Sequence, residues 1–171
     1  MKTIIGLFLT VSLMSSCLDS YSQSSLKIGH VNINEIIAVM PEKDSAQVKL
    51  DRETKEIDKT YEEMKVVYNN LVNDYQKGLA TFSDLVKKSK EDEILDKQKR
   101  LQEFEQNATL SLQKRNYELL KPIYDKIIKA IEKVANENGF TYILDLSKEA
   151  VVFTSKESQN LNQQVISLLK K

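Results

Sequence analysis

Apolar residues between positions 57 and 75 recur at alternating steps of four and three. This spacing places them along one side of an α-helix, where they can pack against a second long helix. The positions of this first seam are Ile57, Tyr61, Met64, Tyr68, Leu71 and Tyr75. Neither glycine nor proline interrupts the helix before Gly78. Half of these positions are tyrosines, whose rings tolerate half-burial because the hydroxyl can stay in water. The pattern predicts one arm of a helical hairpin with an amphipathic surface.

A second, less regular pattern returns between positions 94 and 119. Its apolar positions are Ile94, Leu101, Ala108, Leu112 and Leu119. The polar residues Gln98, Glu105 and Arg115 are predicted on the same side, and so irregular a seam favours an arm that can flex. The charged run 87–93 breaks the apolar rhythm between the two arms. We therefore place the tip of the hairpin near residues 78–92.

The residues before the first arm predict a strand and a short helix. Residues 26–33 are rich in β-branched side chains, which is typical of a strand. A helix over residues 35–39 follows, with Asn32 positioned to cap it. It should stop near Met40, because the residue before a proline avoids helical backbone. Pro41 suits the first turn of the next helix.

The second arm should lead into a packed core. Pro122 falls late in this helix and is expected to bend it. Beyond it, apolar residues from Ile123 to Ala135 form a stripe broader than the seam of the arm, so this end packs on a core. Gly139 should end the helix by taking the left-handed conformation.

The C-terminal residues complete a small body. Strands are predicted over residues 140–146 and 150–154, joined as a hairpin, followed by an amphipathic helix that Asn160 or Asn162 caps. The expected fold class is α+β, a small β-rich body with a long antiparallel helical hairpin inserted between the first and second strands. Three short strands and two helices bury little surface alone, so the body should assemble through its sheet edges.

The pattern of the first residues predicts an export signal. A positive start precedes an apolar run over residues 4–14, too short to span a bilayer, and small residues follow. The predicted signal peptide is 1–22, with cleavage before Gln23. In a second processing route, the lipobox-like sequence before Cys17 would direct lipidation of this residue. A third, disfavoured interpretation is that the apolar run is a buried N-terminal helix of the mature protein. Either export route takes the protein out of the cytoplasm.

The mature chain is expected to be a single domain, residues 23–171. Its body would comprise residues 26–41 and 123–171, and its helical arms residues 42–122. With 25 basic and 25 acidic residues, the chain has no net charge to draw it to nucleic acid or to an anionic membrane. Membrane association is expected only if Cys17 is lipidated.

Catalytic chemistry finds little support in the sequence. The single cysteine cannot form an internal disulfide bond, and the only histidine, His30, falls in a predicted strand. Neither metal-ligand spacing nor a phosphate-binding glycine loop is present. We therefore expect no enzyme, no cofactor and no metal site.

Four segments of the chain resemble the Skp/OmpH-like periplasmic chaperones. They are Lys27–Asn32, Leu120–Tyr124, Ala130–Ala135 and Gly139–Asp145. The resemblance covers residues 26–169, and its most specific part lies between Leu120 and Asp145. It implies a homotrimer with three helical arms around a cavity. That cavity would hold unfolded outer-membrane β-barrel proteins in the periplasm of a Gram-negative bacterium.

Client contact is expected on the amphipathic arm rather than in a catalytic set. The candidate residues are Tyr61, Met64, Val67, Tyr68, Val72, Tyr75, Leu79 and Phe82. Positions off the seam, Val67, Val72, Leu79 and Phe82, are the better candidates because seam residues pack within the hairpin. A lipopolysaccharide site at the tip is disfavoured, since its lysines are followed at once by acidic residues.

A different class of function is also compatible with the sequence. The chain could be a structural coiled-coil envelope protein, or a lipoprotein tether, without chaperone activity. A spacer rod should have a clean apolar seam in both arms. The thin second seam therefore favours the chaperone.

Overall fold

The computed structural model describes residues 26–148 and 150–170. The predicted signal peptide, the cleavage before Gln23 and the lipidation of Cys17 all lie outside these residues. In chain order the elements are β1 (Ile28–Val31), α1 (Ile33–Ala38), α2 (Pro41–Gly78), α3 (Asp84–Asn138), β2 (Tyr142–Asp145), β3 (Gln159–Asn160) and α4 (Asn162–Leu169). The fold is α+β, with the α2–α3 hairpin inserted between β1 and β2, as predicted.

The three strands form a parallel sheet in the order β2-β1-β3. β1 pairs with β2 from Ile28 opposite Tyr142 to Val31 opposite Asp145. The predicted hairpin between residues 140–146 and 150–154 is wrong, because residues 150–154 form no strand. β2 pairs with β1 instead, and β3 occupies the other side of β1. Parallel pairing needs a long crossover connection, and the helical arm supplies it between β1 and β2.

Local capping signals set the helix boundaries. The Asn32 side chain accepts a hydrogen bond from the Glu35 backbone N–H at 3.3 Å, and Pro41 opens α2. Ser83 caps α3 by accepting the Val86 N–H at 3.4 Å. The turn between the arms is therefore residues 79–83, at one end of the predicted tip, and the charged run 87–93 is helical.

The core lies where the lower part of α3 meets the sheet and the short helices. α3 buries Ile123, Ile127, Ala130 and Val134 at helical spacing with Ile131 packed beside them, which confirms that this end of the helix packs on a core. Ile128, which belonged to the predicted stripe, is 42% exposed, and the helix continues through Pro122. The other residues of this core are Val31, Ile33, Ile36, Ile37, Met40, Ala46, Leu161 and Val165.

Two glycines of the body have a structural role, one through its backbone conformation and the other through close side-chain packing. Gly139 ends α3 with φ 67° and ψ 33°, the predicted left-handed conformation. Gly29 lies in β1, where a Cβ atom would meet Leu161 Cδ1 at 2.8 Å and Phe140 Cε1 at 2.9 Å. Only glycine lets these two side chains pack so closely on the strand.

The start of α4 differs in detail from the prediction. Leu161 occupies the cap position, while the Asn160 side chain accepts the Asn162 N–H at 2.9 Å. Asn162 is buried and bridges two other elements: it accepts the Asn32 N–H at 2.8 Å and donates to Glu35 at 2.7 Å. It therefore ties α4 to the start of α1.

Candidate functional site: the helical arm

The α2–α3 hairpin is the largest feature of the molecule. With 38 residues, α2 is about 57 Å long at 1.5 Å per residue. Specific contacts between the two helices occur along its length. From tip to base these pairs are Tyr75–Glu91, Tyr61–Phe104, Glu53–Arg115 and Glu42–Lys126.

Two of these contacts are ion pairs between the helices. Arg115 Nε donates to both carboxylate oxygens of Glu53, at 2.9 and 3.1 Å, and this hydrogen bond raises the pKa of Arg115. Nearer the body, the hydrogen bond from Lys126 lowers the pKa of the Glu42 carboxyl. The Glu53–Arg115 pair is half-buried and lies where a uniform coiled coil would place apolar residues, whereas Lys126 is exposed beside the buried Ile127.

The second seam contains partly different residues from those predicted from the sequence. Arg115 lies on it as predicted, but Gln98 and Glu105 are exposed, which corrects that part of the prediction. Lys97 and Phe104 lie one residue earlier and are half-buried. The reason is that steps of three and four alternate from position 94 to Ala108, after which a second step of four reaches Leu112.

Phe104 was missed by the sequence analysis and is the main aromatic contact of α3 in the arm. Its ring stacks on Tyr61, with the ring centroids 6.4 Å apart and the planes inclined by 19°. The available signal was its place midway between Leu101 and Ala108 in the heptad pattern.

The candidate client residues on the seam pack within the hairpin. Tyr61, Met64, Tyr68 and Tyr75 are all half-buried between the helices. The Tyr75 hydroxyl also donates a hydrogen bond to Glu91, which raises the pKa of Tyr75. Their rings are therefore only partly available to another chain.

The candidates off the seam divide into two groups. Val67 is 48% exposed and Leu79 is 44% exposed, so both present apolar surface to solvent. Val72 is half-buried. Phe82 packs across Gly78 and closes the turn, with Lys90 Nζ 5.7 Å from its ring centroid. Exposure alone does not assign client contact to any of them.

One sheet face of the body carries apolar side chains that the described chain leaves exposed, although His30 on the same face is buried. Ile28 and Tyr142 are paired across β1 and β2 and are exposed, and so is Leu144 in the next turn of the pleat. Nearby in the chain, Val152 is 96% exposed and Phe153 80% exposed. A parallel sheet normally has both faces covered.

His30 has a structural place in the body. It is buried, and its Nδ1 lies 2.7 Å from Ser158 Oγ. In residues 26–148 and 150–170, no cluster of His, Cys, Asp and Glu has the geometry to hold a metal ion. None of the helices in that same part of the chain combines the length and apolar character needed to cross a membrane.

Comparison with solved structures identifies the architecture. A crystal structure of a candidate outer membrane chaperone (OmpH-like) from Caulobacter crescentus CB15 matches with a TM-score of 0.68. The match covers 83% of this chain and 82% of that chain at 12% sequence identity, so it shows a shared fold. The class is thus an α+β protein whose long helical hairpin projects from a small body.

The family follows from the sequence. The model of the family "Outer membrane protein (OmpH-like)" matches residues 27–169. Because this match spans most of the chain, the protein belongs to the OmpH-like family, which confirms the resemblance. No curated protein sequence matches the chain.

Proposed function

We propose that the protein is a periplasmic holdase that binds unfolded outer-membrane β-barrel proteins between its helical arms and prevents their aggregation. The observation that carries this proposal is the arm itself. It is the long hairpin of an OmpH-like protein. Its two helices pack through half-buried side chains, and other apolar side chains on it are exposed to solvent. Val67 and Leu79 are two of these.

The physical reason lies in what an unfolded β-barrel chain exposes. Alternating apolar side chains and unpaired strand edges drive such chains to aggregate with one another. An amphipathic arm can bind such chains through many weak apolar contacts, none of which is essential by itself. Several arms held side by side multiply these contacts by raising the effective concentration.

Self-association would hold the arms side by side, and the proposed assembly is a homotrimer. The open sheet face with Tyr142 and Leu144 supports this, since a second copy would cover it. β2 is an edge strand, and the exposed segment around Val152 and Phe153 is rich in β-forming residues. The chain thus has both a free strand edge and an apolar segment that could pair with such an edge in another copy.

The other expected partners follow from the charge pattern. At the tip, Lys88 Nζ lies 3.4 Å from Asp92, so part of the local positive charge is neutralised. This supports the expectation that lipopolysaccharide is not a ligand. The proposed location is the periplasm, or the outer membrane should Cys17 be lipidated.

An aggregation assay tests the proposal. The mature protein from Gln23 onward is mixed with a urea-unfolded outer-membrane β-barrel protein, which is then diluted into buffer while light scattering is followed. We expect scattering to be suppressed near one oligomer per client, with a trimeric mass by size exclusion and light scattering. Aggregation at the unassisted rate would contradict the holdase proposal and favour a structural tether.

A further inference from the structure

A cleft of about 240 Å³ opens between the two helices halfway along the arm. Its walls and floor are the half-buried residues Ile57, Tyr61, Phe104, Ala108 and Leu112, and its rim is Asp58, Glu105 and Thr109. The cleft lies outside the packed core of the body.

A small residue on the seam explains the cleft. Ala108 stands at a position whose neighbours along the seam are Phe104 and Leu112. Its methyl group reaches less far toward α2 than these side chains do, so the space opposite it stays unfilled. The stacked rings of Tyr61 and Phe104 form one end of this space. Such an apolar recess would be filled in a hairpin optimised only for packing.

Size and chemistry restrict what the cleft can hold. It is below the roughly 300–1,000 Å³ of typical small-molecule sites, and far too small for a helix or another subunit. One large apolar side chain suits its apolar floor and aromatic wall.

The rim adds a preference for charge. Asp58 and Glu105 are both exposed carboxylates beside the opening. Among residues 26–148 and 150–170, neither forms an ion pair with a lysine or arginine. They can accept hydrogen bonds from unpaired backbone N–H groups, and they attract basic side chains that flank an apolar residue.

We propose that this cleft binds one leucine-sized or aromatic side chain from an extended polypeptide segment that carries lysine or arginine beside it. The inference rests on the proposed holdase function, because unfolded polypeptide is the ligand. The cleft would be a defined subsite within a surface that otherwise binds through interchangeable weak contacts.

The test is a methyl NMR titration of the mature protein. The probes are two soluble heptapeptides with one central phenylalanine, flanked by lysines in one and by glutamates in the other. Shifts of the Thr109 and Leu112 methyl groups report binding at the cleft. We expect the lysine peptide to bind about twofold to fivefold more tightly at low salt, since its charges face the exposed rim.

Filling the cleft should weaken this binding. Ala108→Leu places a side chain in the recess and should weaken the lysine peptide about tenfold while the melting temperature is equal or higher. Asn107→Leu is the matched control, because it adds leucine to the exposed neighbouring position. Asp58→Asn with Glu105→Gln leaves the recess intact and should remove only the preference for lysine.

The outcomes separate the subsite from the overall function. If the wild type suppresses client aggregation but neither peptide shifts the two methyl groups, the subsite is wrong and the holdase proposal stands. Equal binding by Ala108→Leu and the wild type also overturns the subsite. Peptide binding without aggregation suppression would uphold the subsite and contradict the holdase proposal. Should Ala108→Leu not fold, the rim variant decides: an unchanged lysine preference overturns the proposal.

Discussion

Arg115 on α3 holds both carboxylate oxygens of Glu53 on α2 through its Nε, at 2.9 and 3.1 Å. The two residues are 62 positions apart in the chain and belong to the two antiparallel helices of the arm. The pair lies on the seam, where an apolar contact would be usual in a coiled coil. We expect this pair to help fix the register of the two helices.

Removing one partner of this pair should destabilise the arm. Glu53→Gln leaves the Arg115 guanidinium on the seam with only its weaker contact to Glu118, so the melting temperature should fall and amides of the lower arm should exchange faster. Replacing both residues, as in Glu53→Leu with Arg115→Met, should recover the loss, because apolar side chains suit the seam. Glu118→Gln, at the weaker contact of 3.5 Å, is the control and should shift the melting temperature by less than about 2 °C. An unchanged Glu53→Gln variant would show that the pair does not set the register.

Two glycine substitutions should destabilise the body for different reasons. Gly29→Ala forces a Cβ atom against Leu161 and Phe140, which should cost about 1–3 kcal/mol of unfolding free energy. Gly139→Ala meets no neighbouring atom but keeps a positive φ, which should cost about 1–2 kcal/mol. Urea denaturation measures both. Leu161→Ala should relieve part of the cost of Gly29→Ala, since the contact with Phe140 remains, and none of the cost of Gly139→Ala. Equal relief of both would contradict this explanation.

Stability should fall in acid partly through Asp145. Burial alone would raise the pKa of this carboxyl, but hydrogen bonds from the Ser147 side chain, the Ser147 N–H and the Ile33 N–H outweigh it and lower the pKa. A lowered pKa adds stability that is fully present above the unfolded value of about 3.9 and is lost as the pH falls through the folded value. Asp145→Asn should therefore be less stable at pH 7 and lose less on acidification. Urea denaturation at pH 7, 4 and 3 measures this, with Asp74→Asn on the arm as the control. An unchanged acid slope in Asp145→Asn would contradict the assignment.

Charge on the exposed body segment should break self-association. Phe153→Asp alters a side chain that is 80% exposed in the single chain, so the protomer should fold normally while its oligomeric mass falls. Leu85→Asp, at an 83% exposed position near the tip, is the matched control and should keep the oligomer. Mass by light scattering after size exclusion decides. A Phe153→Asp protein of unchanged mass would exclude this segment from the interface.

Sequence patterns predicted the arm well because its signals are local. The heptad spacing of the first arm, Pro41 and Gly139 act over a few residues, and the structure confirms each of them. The width of the tip was predicted less well. The capping contact of Ser83 begins α3, whereas the charged residues after it suggested a turn that extends to residue 92.

The sheet was predicted less well because strand pairing is not local. Residues 150–154 have the composition of a strand, and a short turn before them suggested a hairpin. Whether β2 pairs with its neighbour in sequence or with β1 depends on contacts more than a hundred residues apart. The cleft at Ala108 was also hidden, since it requires the register between α2 and α3.

Site-specific photo-cross-linking tests the central claim that the arms bind unfolded clients. A photoreactive amino acid is placed in turn at Val67 and Leu79 on the arm and at the exposed body position Val152. The mature protein is then mixed with a urea-unfolded outer-membrane β-barrel protein and irradiated. We expect client adducts from Val67 and Leu79 that disappear when the client is folded beforehand. Adducts only from Val152, or equal adducts with the folded client, would contradict the claim.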